Sequence, residues 1–204
     1  MGNTLRLTGG QLAGRTLLMQ EAKWPVRPST DKARLGLMNH LSSMLHWPNI
    51  RVLDLFAGTG SLGLECLSRG AASLTSVDAH PKALEHLQAL KERWSLPHWE
   101  LLRMDLFGDL VFDLQPGSTF HETPNAAPAG FDLILADPPY GDPRQEGLAD
   151  RILAGNLLAE KGLLVFEHAP HYRRFSLKPW TTRKLTYGQS CYCIFEKIPA
   201  ATTP

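Results

Sequence analysis

Short apolar runs alternate with amphipathic stretches along most of this 204-residue chain. Val52–Phe56, Ser73–Val77, Glu100–Met104, Phe131–Ala136 and Leu163–Glu167 each read as a strand, and Phe131–Ala136 is compact enough for burial on both faces. Between them lie helical patterns. One runs from Ser61 to Ser68 and stops at Gly70, a natural residue just past a helix end. Another starts at Pro81, suited to the first helical position, and carries the stripe Ala83, Leu84, Leu87, Leu90 and Trp94. A third lies around Leu148–Leu158. Upstream, Ser29 or Thr30 caps a helix with Ala33, Leu37, Leu41, Met44 and Leu45 on one stripe and Lys32, Arg34 and Asn39 elsewhere; Pro48 ends it. Leu5–Leu18 alternates weakly and predicts a small β-hairpin, while the prolines of Trp24–Pro28 exclude a helix. Gln115–Gly130 is polar and proline-bearing, an expected exposed insertion, and Arg173–Leu177 with Arg183–Lys197 read as closing antiparallel strands. Strands alternating with helices predict an α/β fold: a doubly wound, mostly parallel sheet. Such sheets bind ligands beyond the carboxyl ends of their strands. Gly58, Asp78, Asp105 and Asp137 all fall there.

The stretch Val52–Gly63, V-L-D-L-F-A-G-T-G-S-L-G, joins a strand to a helix through a glycine turn. Glycine accepts positive φ and lets a ligand approach the backbone, and the helix start offers unpaired N–H groups. Gly58, Gly60 and Gly63 literally satisfy G-x-G-x-x-G, so a dinucleotide pyrophosphate, hence a nicotinamide oxidoreductase, is one reading. Asp54 favours another. A carboxylate inside an apolar strand is costly unless paired, and beside a diphosphate it repels. Beside a cationic ligand it is favourable. S-adenosylmethionine, with its ammonium and sulfonium, is such a ligand.

Asp78 stands 18 residues after Gly60, near the spacing at which an acidic residue meets a ribose hydroxyl. Asp105 could accept an adenine amine, although a turn aspartate reads the same way. Asp137-Pro138-Pro139-Tyr140 is more specific. Two prolines fix φ and remove two donors, which predicts a stiff turn with outward carbonyl acceptors. A carboxylate, a proline carbonyl and a tyrosine ring on such a turn can hold a planar base bearing an –NH₂ group. The oxygens accept the amine hydrogens and the ring stacks on the base, an interaction of about 1–3 kcal/mol.

Charge adds a division along the chain. Residues 1–51 carry seven Lys/Arg against two acidic groups, residues 52–170 eight against seventeen, and residues 171–204 six against one. An acidic body between basic flanks suits a small cation in the middle and a polyanion at the edges. The odd set Cys66, Cys191 and Cys193 predicts reduced structural thiols in a cytoplasmic protein. No apolar run approaches the ~20 residues of a membrane span, and the start lacks both a signal-peptide core and a good lipidation pattern.

These motifs occur together with L-R-L-T-G-G-Q-L-A-G-R (5–15), R-P-S-T-D-K-A-R (27–34) and K-L-T-Y-G-Q-S (184–190). The combination resembles the RsmD family of bacterial 16S rRNA (guanine-N2)-methyltransferases over residues 5–197. The resemblance implies a class I S-adenosylmethionine-dependent methyltransferase (Rossmann-like) fold over 29–204, with an rRNA-contacting β extension at 1–28. It implies that Asp54, Ala57, Gly58 and Gly60 hold the methionine end of S-adenosylmethionine. Asp78 and Ala79 would take the ribose, and Asp105 and Leu106 the adenine. Asp137, Pro138, Pro139 and Tyr140 would receive the guanine. Arg15, Arg27, Thr30 and Arg34 would touch rRNA at the mouth of the site. The family usually has Glu where Asp78 stands, which implies a longer or water-borne ribose contact. No metal is expected, because a sulfonium is already electrophilic. The implied partner is 16S rRNA, free or in the assembling small subunit, bound by a monomer. A DNA adenine or cytosine amino-methyltransferase shares the Asp-Pro-Pro-Tyr chemistry, but little of this chain remains for a target-recognition domain.

Overall fold

The computed structural model describes residues 4–18, 30–108, 130–168 and 180–197. The two prolines around Val26, the 115–130 insertion, the 173–177 strand expectation and Arg27 fall wholly or largely outside them.

The apolar runs become a seven-stranded sheet. Its strands are β3 (Arg51–Leu55), β4 (Ser73–Asp78), β5 (Trp99–Arg103), β6 (Phe131–Ala136), β7 (Leu158–His168), β8 (Trp180–Tyr187) and β9 (Ser190–Lys197). They lie in the order β5-β4-β3-β6-β7-β9-β8. The first five are mutually parallel, and β9 and β8 are antiparallel additions at one edge. Chain order reverses between β3 and β6: β4 and β5 are laid to one side, β7 and its followers to the other. That switch point is where two loops diverge and leave a crevice.

The helices are α1 (Asp31–Ser42), α2 (Ser61–Ser68), α3 (Pro81–Trp94) and α4 (Leu148–Ala154). The Thr30 hydroxyl accepts the Ala33 N–H at 3.2 Å and caps α1, and Pro81 opens α3 as its rigid φ predicts. Helix α4 is shorter than its apolar pattern suggests. It ends at Ala154, and Leu158 already belongs to β7, since the run Leu157-Leu158 is drawn into the pairing of Phe131 with Leu158. Met44 also leaves the expected stripe and is partly exposed.

The N-terminal hairpin of β1 (Thr4–Arg6) and β2 (Thr16–Leu18) forms its own two-stranded sheet. It is nevertheless part of the main body. Leu5, Leu7, Leu12 and Leu17 share one apolar cluster with Leu37, Leu41 and Trp99. The Gln11 N–H donates to the Ser68 carbonyl at 2.6 Å, and the Thr8 N–H to Glu65 Oε1 at 2.8 Å. Cys66, Cys191 and Cys193, expected as reduced structural thiols, are all free and buried. Among the described residues no helix is long and apolar enough to cross a membrane.

Candidate active site at the switch point

Two turns meet over the crevice, one from β3 and one from β6. After Leu55 the chain reverses sharply. Phe56 takes φ +62°, Gly58 φ +51° and Gly60 φ +73°, a left-handed series that only glycine adopts freely. The turn is tied to β4, because the Ala57 N–H donates to the Val77 carbonyl at 3.0 Å and the Gly58 N–H to Asp78 Oδ2 at 2.8 Å. The second Asp78 oxygen accepts the His80 N–H at 2.8 Å. Asp78 therefore organises the glycine turn as well as facing the crevice.

Asp54, one residue before the end of β3, is 2% exposed and accepts the Gly63 N–H at 3.2 Å. A methyl group on Gly63 would sit 2.7 Å from that carboxylate oxygen, so the glycine lets α2 lie close enough to donate. Burial pushes the Asp54 carboxyl up to about 7; the Gly63 N–H opposes this and the Asp78 charge adds to it. A positively charged ligand would relieve this burden, and three further carboxyls, Asp78, Asp105 and Asp137, line the crevice against one arginine, Arg144. These residues fit the ammonium and sulfonium of S-adenosylmethionine.

The second turn follows β6. The Asp137 N–H donates to the Leu55 carbonyl at 3.4 Å, which fixes this turn against the end of β3. Pro138 is buried, while Pro139 and Tyr140 are exposed. The Tyr140 hydroxyl donates to Glu167 Oε1 at 2.7 Å, and the residue as a whole stays 39% exposed. Asp137 is held well above the usual carboxylate range, first by burial, then by the neighbouring charges of Glu167 and Asp54. One expectation for this turn needs correction. The Pro139 carbonyl is not a free outward acceptor, because it receives the Gln145 side-chain amide and the Asp142 N–H. The loop that follows folds back over the turn and supplies both donors to that one carbonyl.

A single cavity of about 680 Å³ connects the turns. Asp54, Ala57, Gly58, Asp78, Ala79, Asp105, Leu106, Asp137, Pro138, Pro139 and Tyr140 all line it. Its volume lies within the ~300–1,000 Å³ of small-molecule sites. Gly60 does not line it. A side chain there would meet Leu87 Cδ2 at 2.6 Å, so Gly60 makes the turn and seats it on α3. The polar mouth differs more. Arg34 is fully buried; it donates to the Arg6 carbonyl and Asp31 Oδ1, both at 2.8 Å, and faces Glu65. Thr30 is engaged as the α1 cap. Arg15 stacks 5.4 Å over the ring of Trp94, the last residue of α3. Since α3 starts beside the cavity, that places Arg15 roughly 20 Å away, at the far end of the sheet. The resemblance carried these residues to the mouth; the packing of hairpin, α1 and α2 puts Arg34 and Arg15 elsewhere.

Other lining residues escaped the sequence reading. Phe56 and Phe107 pair with ring centroids 5.1 Å apart, and the Arg144 guanidinium sits 4.2 Å over Phe107. Arg144 is held by Asp142 at 2.7 Å and lines the cavity together with His80 and Met104. Its one legible signal was a cation four residues beyond Tyr140, on the same loop.

The strand order and the paired turns are those of the class I S-adenosylmethionine-dependent methyltransferases. A solved structure, yhhF from Escherichia coli, superposes with TM-score 0.76 at 24% identity, covering 96% of this chain and 98% of that one. A family model described as Conserved hypothetical protein 95 matches residues 5–196. The chain belongs to that family, the RsmD family. YlbH of Bacillus subtilis (strain 168) is 32% identical over 199 residues, 95% of this chain and 99% of its own. Ribosomal RNA small subunit methyltransferase D of Escherichia coli (strain K12) is 31% identical over 163 residues, 80% of this chain and 71% of its own.

Proposed function

We propose that this chain transfers a methyl group from S-adenosylmethionine to the exocyclic N2 of a guanine in small-subunit rRNA, presented to the cavity by flipping out. The observation that carries the reading is that the glycine turn after β3 and the Asp137–Tyr140 turn open into one cavity. The family name of the Escherichia coli relative supports rRNA as the substrate.

When bound, S-adenosylmethionine supplies a methyl group on a positively charged sulfur. Asp54 and the Gly58 turn hold its methionine end, Asp78 its ribose, and Asp105 its adenine beside Leu106. Tyr140 receives the face of the guanine. The Asp137 carboxylate and the Pro138 carbonyl accept the amine hydrogens and aim the nitrogen lone pair along the axis of transfer. As the new N–C bond forms, the old S–C pair stays with sulfur, and Asp137 takes the proton that the nitrogen sheds. Such positioning supplies up to roughly 7–11 kcal/mol of a barrier. Purified chain incubated with labelled S-adenosylmethionine is expected to place label on guanine N2 of small-subunit rRNA, mapped by mass spectrometry. Label on duplex DNA instead, or on an adenine, would replace this reading with the amino-methyltransferase of DNA.

The Asp54 carboxyl gives a second test. Folding raises it from 3.8 to about 7, so the stability tied to its proton is present below about 4 and is lost as pH climbs through 7. Cation binding requires the ionised form and releases the proton. The affinity for S-adenosylmethionine therefore rises with pH up to about 7, by at most ~10-fold per unit for one proton, and flattens above. Calorimetry between pH 5.5 and 8 reads this; an affinity flat over that range sinks the assignment of Asp54.

A further inference from the structure

We propose that Glu167 is a positioning residue for the methyl acceptor: its carboxylate anchors the Tyr140 phenol and faces Asp137 across the β6–β7 strand pair. The inference rests on the reading of Asp137–Tyr140 as the acceptor turn.

The geometry comes from register. Ala136, the last residue of β6, is paired with Phe166 of β7, so Asp137, just past the end of β6, comes beside Glu167 of β7, both on the opposite face of the sheet from that apolar pair. On its other side β7 is bonded to β9, with Glu167 opposite Tyr192. Glu167 is thus held inside β7 by the neighbouring β9 and is 3% exposed. It is a rigid acceptor, whereas Tyr140 sits on a loop. The 2.7 Å bond between them ties the exposed ring to the sheet. A ring held at one end and open on its face is a platform for a flat base, and the tether removes rotamer freedom that binding would otherwise have to remove.

The second consequence is electrostatic. Around Asp137 stand Asp54 from β3, Glu167 from β7 and Tyr140 from its own turn, with Tyr192 of β9 behind Tyr140; Arg144 is a cation lining the same cavity. His168 follows Glu167 on β7. Two carboxyls this close do not ionise independently. Burial, with the charges of Glu167 and Asp54 added to it, disfavours the ionised form of Asp137 in the empty site. An amine donor and a cationic co-substrate then favour its ionised form, so the acceptor oxygen is unmasked when both guests are present. The Tyr140 phenol is itself pushed further up by burial and by its bond to Glu167, so it stays the donor.

Glu167→Gln separates the two roles, because the amide still accepts from Tyr140 but carries no charge. The acid limb of the rate profile is expected to move down by about one pH unit or more, while KM for RNA changes less than about two-fold. Glu167→Ala and Tyr140→Phe both lose the tether and raise KM several-fold. The carboxyl ¹³C resonance of Asp137, followed by NMR in the ligand-free chain, should titrate lower in both Glu167 variants, a readout that needs no turnover. An Asp137 titration that coincides in the wild type and Glu167→Gln overturns the coupling, and an unchanged KM in Tyr140→Phe overturns the tether. If the resonance shifts but the wild type methylates no RNA, the charge coupling between Glu167 and Asp137 stands and the proposed function falls.

Discussion

Asp137→Ala is expected to lower kcat by about 10²–10⁴, the range for a lost general acid–base group, while the dissociation constant for S-adenosylmethionine changes little. The argument rests on where the two guests are held. In the proposed function the co-substrate's contacts come from the β3 and β4 ends; the Gly58 N–H and the His80 N–H are bonded to Asp78 and the Gly63 N–H to Asp54, and none of these bonds reaches Asp137. In the same reading the acceptor amine has Asp137 as its acidic partner on the β6 turn. The substitution also removes one of three crowded carboxyls, and burial with the charges of Glu167 and Asp54 already disfavours ionised Asp137. The unfolding midpoint of Asp137→Ala should accordingly be no lower than that of the wild type. A site whose stability improves as its chemistry is lost is one whose geometry serves function. Single-turnover assays and calorimetry on the same preparation decide it. Near-normal single-turnover rates would remove Asp137 from the chemistry.

The five parallel strands, the glycine turn and the Asp137–Tyr140 turn were legible because each leaves a local mark. Apolar runs bounded by polar residues report burial on both faces, and Asp54 was conspicuous as an acid among Val52, Leu53 and Leu55. Glu167 carries the same mark in L-L-V-F-E-H, yet reads as an ordinary strand end until register sets it beside Asp137. Gly60 and Gly63 complete the G-x-G-x-x-G fingerprint, which counts glycines without saying what each one does. Only tertiary packing reveals that a side chain at either would collide with Leu87 or Asp54 inside the protein. The placement of Arg34 and Arg15 was hidden for a related reason. On a helical wheel Arg34 lies off the apolar stripe and reads as solvated, but the hairpin folds over that face of α1 and closes it. Arg15 sits in a turn, and no one-dimensional pattern says which end of the sheet a turn reaches. Phe56 at positive φ belongs to the same class: the strain is invisible in its residue type and is imposed by the turn around it.

Arg34 and Glu65 lead to the other large expected effect. Both side chains have no exposure, and the Arg34 Nε lies 3.6 Å from Glu65 Oε1. Glu65 is the hub. It accepts the Thr8 N–H at 2.8 Å and the Thr8 hydroxyl at 2.9 Å, and pairs with Arg69 one turn further along α2. Arg34 reaches back to the Arg6 carbonyl, so α1, α2 and both sides of the β1 strand converge on one buried carboxylate. Replacing such an ion pair whole by apolar groups can be neutral, but removing one partner leaves a buried charge without compensation. Glu65→Ala is therefore expected to destabilise the chain by about 3–5 kcal/mol, a fall in Tm of roughly 6–20 °C at this size. Glu65→Gln, which keeps the shape and the acceptor oxygen for Thr8, should lose less, and the double variant Arg34→Met with Glu65→Leu should recover part of the loss. The cavity lies at the opposite end of α2, which begins at Ser61 beneath the glycine turn, so S-adenosylmethionine should bind the folded Glu65→Ala chain normally. Urea titrations and calorimetry separate the two readouts. A Glu65→Ala chain as stable as the wild type would mean that the leucines of the hairpin and its bonds to Ser68 hold it, and that the ion cluster beneath it contributes nothing to holding the N-terminal strands on the sheet.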